Sequence, residues 1–367
     1  MIVKELYLNG FRNYTDLAVN FCDGVNVIVG RNAQGKTNLI EAIQYLSTGR
    51  SFRTSGDKEL IYFDSESACI KVTVNSNERD QVLEAQIARG SRKKFFANGV
   101  KQKKVTELAG RLATVLFCPD DLSLIKDSAA VRRKFMDNCL SQLRPGYLAA
   151  LFEFNKLYES KTRILKDHYE KPALLDLLDD FSLRLAEQSA KLIYYRSAFS
   201  EGLSRRASEI HNEFSGLSEK LTIKYKTVGR MDALGKKPSE LLPEIMKHQQ
   251  EHKTAEIRAG MCLTGAHKDD LEVEINGKLA RKYASQGQVR TAAVSMKLAE
   301  RDIQYTDKGE YPVLLLDDVL SELDTQRQKF VLERIECGQV FITCCDETST
   351  PISNCGKTLR IEKGRMV

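Results

Sequence analysis

The sequence has no apolar run approaching the roughly 20 residues of a membrane-spanning helix. It opens Met-Ile-Val-Lys-Glu, with charges at positions 4 and 5, and no apolar stretch of signal-peptide length follows. Both absences lead to the expectation of a cytoplasmic protein without a membrane partner. There is no C-x-x-C. The nine cysteines are odd in number and irregularly spaced, with Cys344 and Cys345 adjacent. That pattern does not suit a small disulfide scaffold and points to reduced thiols. His248 and His252 stand four apart, a spacing zinc can use. No third ligand stands near them, so a solvated helix face is the expected reading. Internal repeats and low-complexity segments are absent. So is a strong excess of one charge: 56 basic against 50 acidic residues permit a nucleic-acid partner without requiring one.

What is present is an ordinary globular balance, 42% hydrophobic and 29% charged over 367 residues. The length exceeds one common core, so two domains are expected. Residues 2–8 and 25–29 read as strands, and Val-Asn-Val-Ile-Val at 25–29 suits a buried parallel strand. A helix is expected from about Gly35 to Leu46, then strands over 68–75 and 80–88 and a type I′ hairpin at Asn98-Gly99. Glycine and proline thin out from 121 to 260. Helices are expected there over 129–143, 146–168, 172–210 and 238–253, with Pro172 at a first helical position. The periodicity is too short for an extended coiled coil. Strand character returns over 271–283 around Asn276-Gly277. A helix over 287–306, a strand at Val313–Leu316, a helix over 324–336 and strands over 339–343 and 358–362 follow. The expected fold class is α/β. A nucleotide-binding head would be built from 1–120 and 261–367, with appended antiparallel strands in 1–120, and interrupted by a mostly helical domain at 121–260.

Three motifs point to phosphate chemistry. Gly30, Arg31, Asn32, Ala33, Gln34, Gly35, Lys36 and Thr37 complete G-x-x-x-x-G-K-[ST] between a strand and a helix, the setting this motif needs. The glycines let backbone N–H groups turn toward phosphate oxygens at a helix N-terminus. Lys36 can reach the β- and γ-phosphates of ATP, and Thr37 can offer its hydroxyl to Mg²⁺. Val313-Leu-Leu-Leu-Asp317-Asp318 is an apolar strand ending in acids. Asp317 would hold Mg²⁺, and Asp318 would polarise the attacking water as general base. Ala284-Ser285-Gln286-Gly287-Gln288 precedes a helix. Its bland reading is a serine-glycine helix cap. Its sharper reading is an anion contact through Ser285, Gly287 and Gln288.

The order of these motifs, closed by Ser321-Glu-Leu-Asp324, resembles the ABC-type ATPases, whose signature is usually written L-S-G-G-Q. More closely, Leu8-Asn-Gly10-Phe11-Arg12-Asn13-Tyr14, Phe117-Cys-Pro119-Asp120-Asp121-Leu122, Arg132-Arg133-Lys-Phe-Met-Asp137 and Gly265-Ala-His267-Lys268-Asp269-Asp270-Leu271 resemble the RecF family, relatives of the SMC-type ATPases. The likeness runs from residue 2 to about 343. It implies that Arg12 lies against the nucleotide and that the signature caps ATP bound to a second copy, so that the working unit is a homodimer with two shared sites. It further implies weak ATPase activity, binding of double-stranded or gapped DNA, and help from the mediator proteins RecR and RecO in loading recombinase during replication and repair. The sequence departs from the family pattern at Ala266 and Lys268, where proline and arginine are expected. Asp318 stands for the glutamate usual in other ABC ATPases. Thr343-Cys344-Cys345-Asp346 stands where the class has a switch histidine, and no glutamine is assigned to the Q-loop.

Two rival classes differ in what they need. An SMC-type head that bridges DNA mechanically needs hundreds of coiled-coil residues between the motifs, and a transport ATPase needs no helical lobe. Lys93-Lys94 and Lys101-x-Lys103-Lys104 flank the Asn98 turn, with Phe95 and Phe96 between. They read equally as a basic hairpin lying along phosphates and as a lysine-protected sheet edge.

Overall fold

The computed structural model describes residues 1–345 and 356–367. The chain forms two compact units, Met1–Ser123 with Ala293–Val367, and Leu124–Ala292.

The first unit begins with β1 (Ile2–Phe11), β2 (Tyr14–Asn20), β3 (Val25–Val29), α1 (Lys36–Thr48), β4 (Ser67–Ser76), β5 (Arg79–Ala88), β6 (Lys94–Ala97), β7 (Val100–Gln102) and β8 (Thr114–Phe117). The second holds α2 (Ala129–Leu143), α3 (Pro145–Asp167), α4 (Leu178–Ser215), β9 (Leu221–Lys226), α5 (Pro238–Ala259), β10 (Asp270–Ile275), β11 (Lys278–Leu279) and α6 (Ala280–Tyr283). The unit boundary falls inside α7 (Gln286–Lys308), after which β12 (Val313–Leu316), α8 (Thr325–Glu333), β13 (Val340–Cys344), β14 (Lys357–Glu362) and β15 (Arg365–Met366) complete the first unit.

Two sheets make the first unit. One is antiparallel, in the order β2-β1-β4-β5-β6-β7, and the other runs β15-β14-β3-β13-β12-β8, parallel from β14 to β8. The parallel strands are short and apolar because both faces are covered: every residue of β12 and β13 is buried. α1 is buried on nearly all sides, Leu39 to Ser47 without a break, as a helix enclosed by a core must be. Its Leu39, Ile40, Ile43 and Leu46 join one core with Leu6, Leu8, Ile70 and Val72 of the antiparallel sheet and Ile28, Leu315 and Phe341 of the parallel one. Asn98 and Gly99 have φ of 49° and 77°, the left-handed pair a type I′ turn demands. The hairpin they close forms the sheet edge. Phe95 is buried there and stacks on Tyr45, while Lys93 pairs with Asp57 at 2.8 Å. Phe117-Cys-Pro119-Asp120-Asp121 turns the chain out of β8, with Asp121 accepting from the Cys118 N–H at 2.9 Å.

In the second unit, α2 to α5 accompany a three-stranded antiparallel sheet, β11-β10-β9. The strand expected over 271–283 stops at Leu279, and 280–283 form a helical turn. The chain re-enters the first unit at Ala293 rather than at 261. Residues 261–292 stay behind because β10 pairs along its whole length with β9 and because the segment before it is bonded to α2 and α4. There Arg132 grips the Asp270 carboxylate at 2.7 and 3.0 Å, Arg133 donates to the Asp269 carbonyl, and Arg196 donates to the Ala266 carbonyl at 2.8 Å. The helix expected over 172–210 begins as a 3₁₀ turn at Pro172–Leu177 and continues as α4. His248 and His252 lie on α5, and no cluster of three or more metal-ligating side chains stands among the described residues. Among the described residues, no helix is long and apolar enough to cross a membrane. Every described cysteine is a free thiol.

Candidate nucleotide site

The site lies at the carboxyl ends of three adjacent parallel strands, β3, β13 and β12, the place where open α/β sheets bind ligands. The loop from Gly30 to Gly35 leaves β3 and enters α1. Its shape needs its glycines: a Cβ at Gly30 would come within 2.5 Å of the Ile361 carbonyl oxygen, and Gly35 has φ +119° with Asn13 and Tyr14 closed upon it. Asn13 Nδ2 donates to the Gln34 carbonyl at 2.9 Å, Tyr14 OH to the Gly35 carbonyl at 2.9 Å, and the Gly364 N–H to the Gln34 carbonyl at 3.1 Å. The loop is thus tied from outside before any ligand arrives. Asn13 and Tyr14 belong to a motif read from sequence, but their task of bracing the loop did not follow from it.

Lys36 is only 4% exposed, and its Nζ donates to the Gly30 carbonyl at 2.7 Å and reaches the Arg31 carbonyl at 3.4 Å. The ammonium is therefore folded into its own loop, where an incoming phosphate would meet it. Thr37 Oγ1 donates to Asp317 Oδ1 at 3.0 Å, so the two expected cation ligands face one another. Burial raises the Asp317 carboxyl above the usual carboxylate range, against the hydrogen bonds from Thr343 and Thr37, which lower it. A buried carboxylate beside a hydroxyl, next to a lysine-bearing phosphate loop, suits a hard divalent cation. Asp318 follows with φ +52°, a left-handed backbone that is uncommon for a residue with a side chain. The strand register explains the neighbours: Leu316 pairs with Ile342 and Cys344 with Val29, which sets Asp317 beside Thr343 and Cys345 beside Gly30. Cys345, next to the place of the usual switch histidine, has Sγ 3.7 Å from Lys36 Nζ and donates to Asn32 Oδ1 at 3.0 Å. Asp346 lies outside the described residues.

Arg12 is held by Glu41 of α1. Its Nε and Nη2 form two 2.8 Å bonds to the fully buried carboxylate, and Nη1 donates to the Glu59 carbonyl at 2.9 Å. Ser51 also donates to Glu41, and Arg53 reaches it at 3.6 Å while donating to Asn38 Oδ1 at 2.7 Å. Glu41 was not singled out from sequence, and its only signal there is a charged residue in an otherwise apolar stretch of helix.

The signature residues belong to the second unit. Ser285 Oγ accepts from the Gln288 N–H at 3.2 Å, and Gln288 Oε1 accepts from the Ser285 N–H at 2.9 Å. This reciprocal pair is a capping box at the start of α7. Gln288 Nε2 donates to Glu219 at 2.7 Å, and the Gly287 carbonyl accepts from Thr291 at 3.0 Å.

The chain matches the family model described as RecF/RecN/SMC N terminal domain over residues 2–365. Over 367 residues it is 38% identical to the DNA replication and repair protein RecF of Acetivibrio thermocellus, covering all of this chain and 99% of that one. This chain belongs to the RecF family. A further RecF, of Ruminiclostridium cellulolyticum, is 39% identical over 95% of this chain and 93% of its own. A solved structure described as the recombination mediator protein RecF-ATP in the RecFOR pathway superposes with a TM-score of 0.92 at 35% identity, covering 100% of this chain and 97% of that one. An Smc head bound to the C-winged helix domain of ScpA shares the fold at TM-score 0.56 and 17% identity, over 100% of this chain and 96% of its own. Membership places the chain in DNA replication and repair and in the ABC/SMC-type ATPase class, with the expected α/β head.

Proposed function

We propose that this RecF-family chain is an ATP-dependent DNA-binding switch of recombinational repair, working as a homodimer. The first unit serves as the ATPase head and the second as its inserted lobe. The observation that carries the reading is the convergence of Lys36, Thr37, Asp317 and Asp318 at neighbouring strand ends, in a chain whose relative is described in its ATP form.

Loop amides from Gly30 to Thr37 and the Lys36 ammonium hold the phosphates, with Arg31, Asn32, Ala33 and Gln34 shaping the loop. Lys36 exchanges its carbonyl partners for phosphate oxygens, a swap of neutral for charged acceptors that strengthens each bond. Arg12, held by Glu41, lies against the nucleotide. Thr37 and Asp317 hold Mg²⁺, which when bound neutralises phosphate charge and orients the leaving group. Asp318 accepts the proton of the attacking water. Ser285, Gly287 and Gln288 of one chain cap the nucleotide on the other, so two chains close on two shared sites around double-stranded or gapped DNA, and slow hydrolysis reopens them. RecR and RecO are the partners through which the closed dimer aids recombinase loading.

The test is a gel shift of gapped duplex with the parent and Lys36→Ala, with and without ATP. The parent is expected to shift DNA only with ATP, with an affinity that falls at a log–log salt slope near −0.9 for each phosphate neutralised. Lys36→Ala is expected to bind neither ATP nor DNA. A parent that shifts DNA equally well without ATP, or a variant with undiminished nucleotide affinity, refutes the reading.

A further inference from the structure

We propose that Thr343 is a positioning residue that couples the cation-side Asp317 to the water-side Asp318. The inference deepens the nucleotide reading above and rests on it. From sequence, Thr343 is only the first residue of Thr343-Cys344-Cys345-Asp346, where the class has a switch histidine, with no role assigned to it. It is the penultimate residue of an apolar strand, β13, that lies between the phosphate-loop strand and the acid-bearing strand.

Its side chain is buried, 2% exposed, yet its hydroxyl touches both acids. Oγ1 accepts from the Asp318 N–H at 2.8 Å. It also stands 3.0 Å from Asp317 Oδ1 and 3.2 Å from Asp318 Oδ1, each within donating range. A hydroxyl has one proton to give. Thr343 can therefore donate to one carboxylate at a time, while its lone pair keeps the Asp318 backbone in the left-handed conformation. Asp317 Oδ1 already receives the Thr37 hydroxyl at 3.0 Å. When Asp317 engages a cation, its oxygen becomes a poorer acceptor and the Thr343 proton turns to Asp318 Oδ1. That bond fixes the Asp318 carboxylate through one oxygen and leaves Oδ2 to accept from water. Occupation of the cation position is thus passed to the general base through a single hydroxyl, with no backbone movement required. A threonine that merely satisfied a strand end would need one partner, whereas this one faces both acids of the site.

The experiment compares single-turnover and steady-state Mg-ATP hydrolysis by the full chain with Thr343→Val and Thr343→Ser, each alone and in an Asp318→Asn background. Thr343→Val keeps the volume and branching and deletes the hydroxyl. It is expected to lower kcat about 100-fold, the scale for a reacting group held slightly out of place. KM for Mg-ATP and nucleotide affinity in EDTA are expected to stay within about threefold of the parent, the pattern of losing an interaction made only in the transition state, and Thr343→Ser, which keeps the hydroxyl, is expected to restore kcat to within about threefold. In the Asp318→Asn background, Thr343→Val is expected to change the rate less than about threefold, because two residues acting as a unit are not additive. If Thr343→Val does not fold, Thr343→Ser against Thr343→Ala makes the same comparison. A Thr343→Val variant as fast as the parent overturns the inference alone. So does a loss of equal size with and without Asp318. A parent that does not bind nucleotide overturns the nucleotide reading and takes this inference with it.

Discussion

Arg196→Met should unfold the second unit at a markedly lower temperature. Arg196 is 2% exposed on α4. Its Nη2 donates to Asp137 Oδ1 at 2.8 Å, its Nε to Tyr147 OH at 2.9 Å, and its Nη1 to the Ala266 carbonyl at 2.8 Å. Tyr147 OH in turn donates to Asp137. Burial works against the guanidinium charge, but Tyr147, Asp137, Tyr225 and Asp269 outweigh it and hold its pKa well above the ordinary value. Methionine nearly fills the space yet leaves the Ala266 carbonyl unbonded and Asp137 without its cation. Removing one member of a buried pair costs about 3–5 kcal/mol. In a unit of about 170 residues, each kcal/mol moves Tm by about 2–4 °C, so a fall of about 6–20 °C is expected. Scanning calorimetry would follow it, with nucleotide binding as the reporter that the first unit is intact. Arg196→Met with Asp137→Leu removes both charges, and it should recover part of the loss because apolar replacement of a whole buried pair is far cheaper than halving it. A loss under about 1 kcal/mol for the single variant would show that the network does not stabilise the unit.

Two further outcomes follow from the same geometry. Ser285→Arg should leave ATP binding by the isolated chain near normal, since Gly30–Thr37 is untouched, while blocking ATP-dependent dimerisation in light scattering; full dimerisation would sink the shared-site reading. Burial holds the His267 pKa down at about 4, below its ordinary 6.5. Between those values the unfolded chain takes up a proton that the folded chain refuses, so stability falls as pH drops from about 6.5 to 4. The loss from pH 7 to pH 5 is at most about 2 kcal/mol. Urea midpoints of the parent and His267→Phe at the two pH values should show the variant's smaller loss, and equal losses would refute a half-buried neutral histidine.

Much of the phosphate chemistry was local in origin and therefore readable along the chain. Gly30–Thr37 needs only a strand before it and a helix after it, and both form where hydrophobic periodicity put them. Asp317 and Asp318 were legible as acids ending an apolar strand, and the Asn98-Gly99 and Asn276-Gly277 turns as dipeptides that tolerate left-handed backbone. The strand β9, Leu-Thr-Ile-Lys-Tyr-Lys, carries period-two alternation that was legible but short enough to pass for helix flank in a helical region. What no local pattern contains is adjacency. That β13 runs between β3 and β12, and in the register that sets Thr343 beside Asp317, follows from the whole sheet closing over α1. Glu41 is one charge on a buried helix until β1 delivers Arg12 to it across 29 residues. The Arg132–Asp137 and Gly265–Leu271 stretches carried family likeness in sequence, with no role attached. Only the folded second unit shows Arg132 bonded to Asp270, Arg133 to the Asp269 carbonyl and Asp137 to Arg196, because a buried charge must find its partner wherever the packing of α2, α4 and β10 brings one.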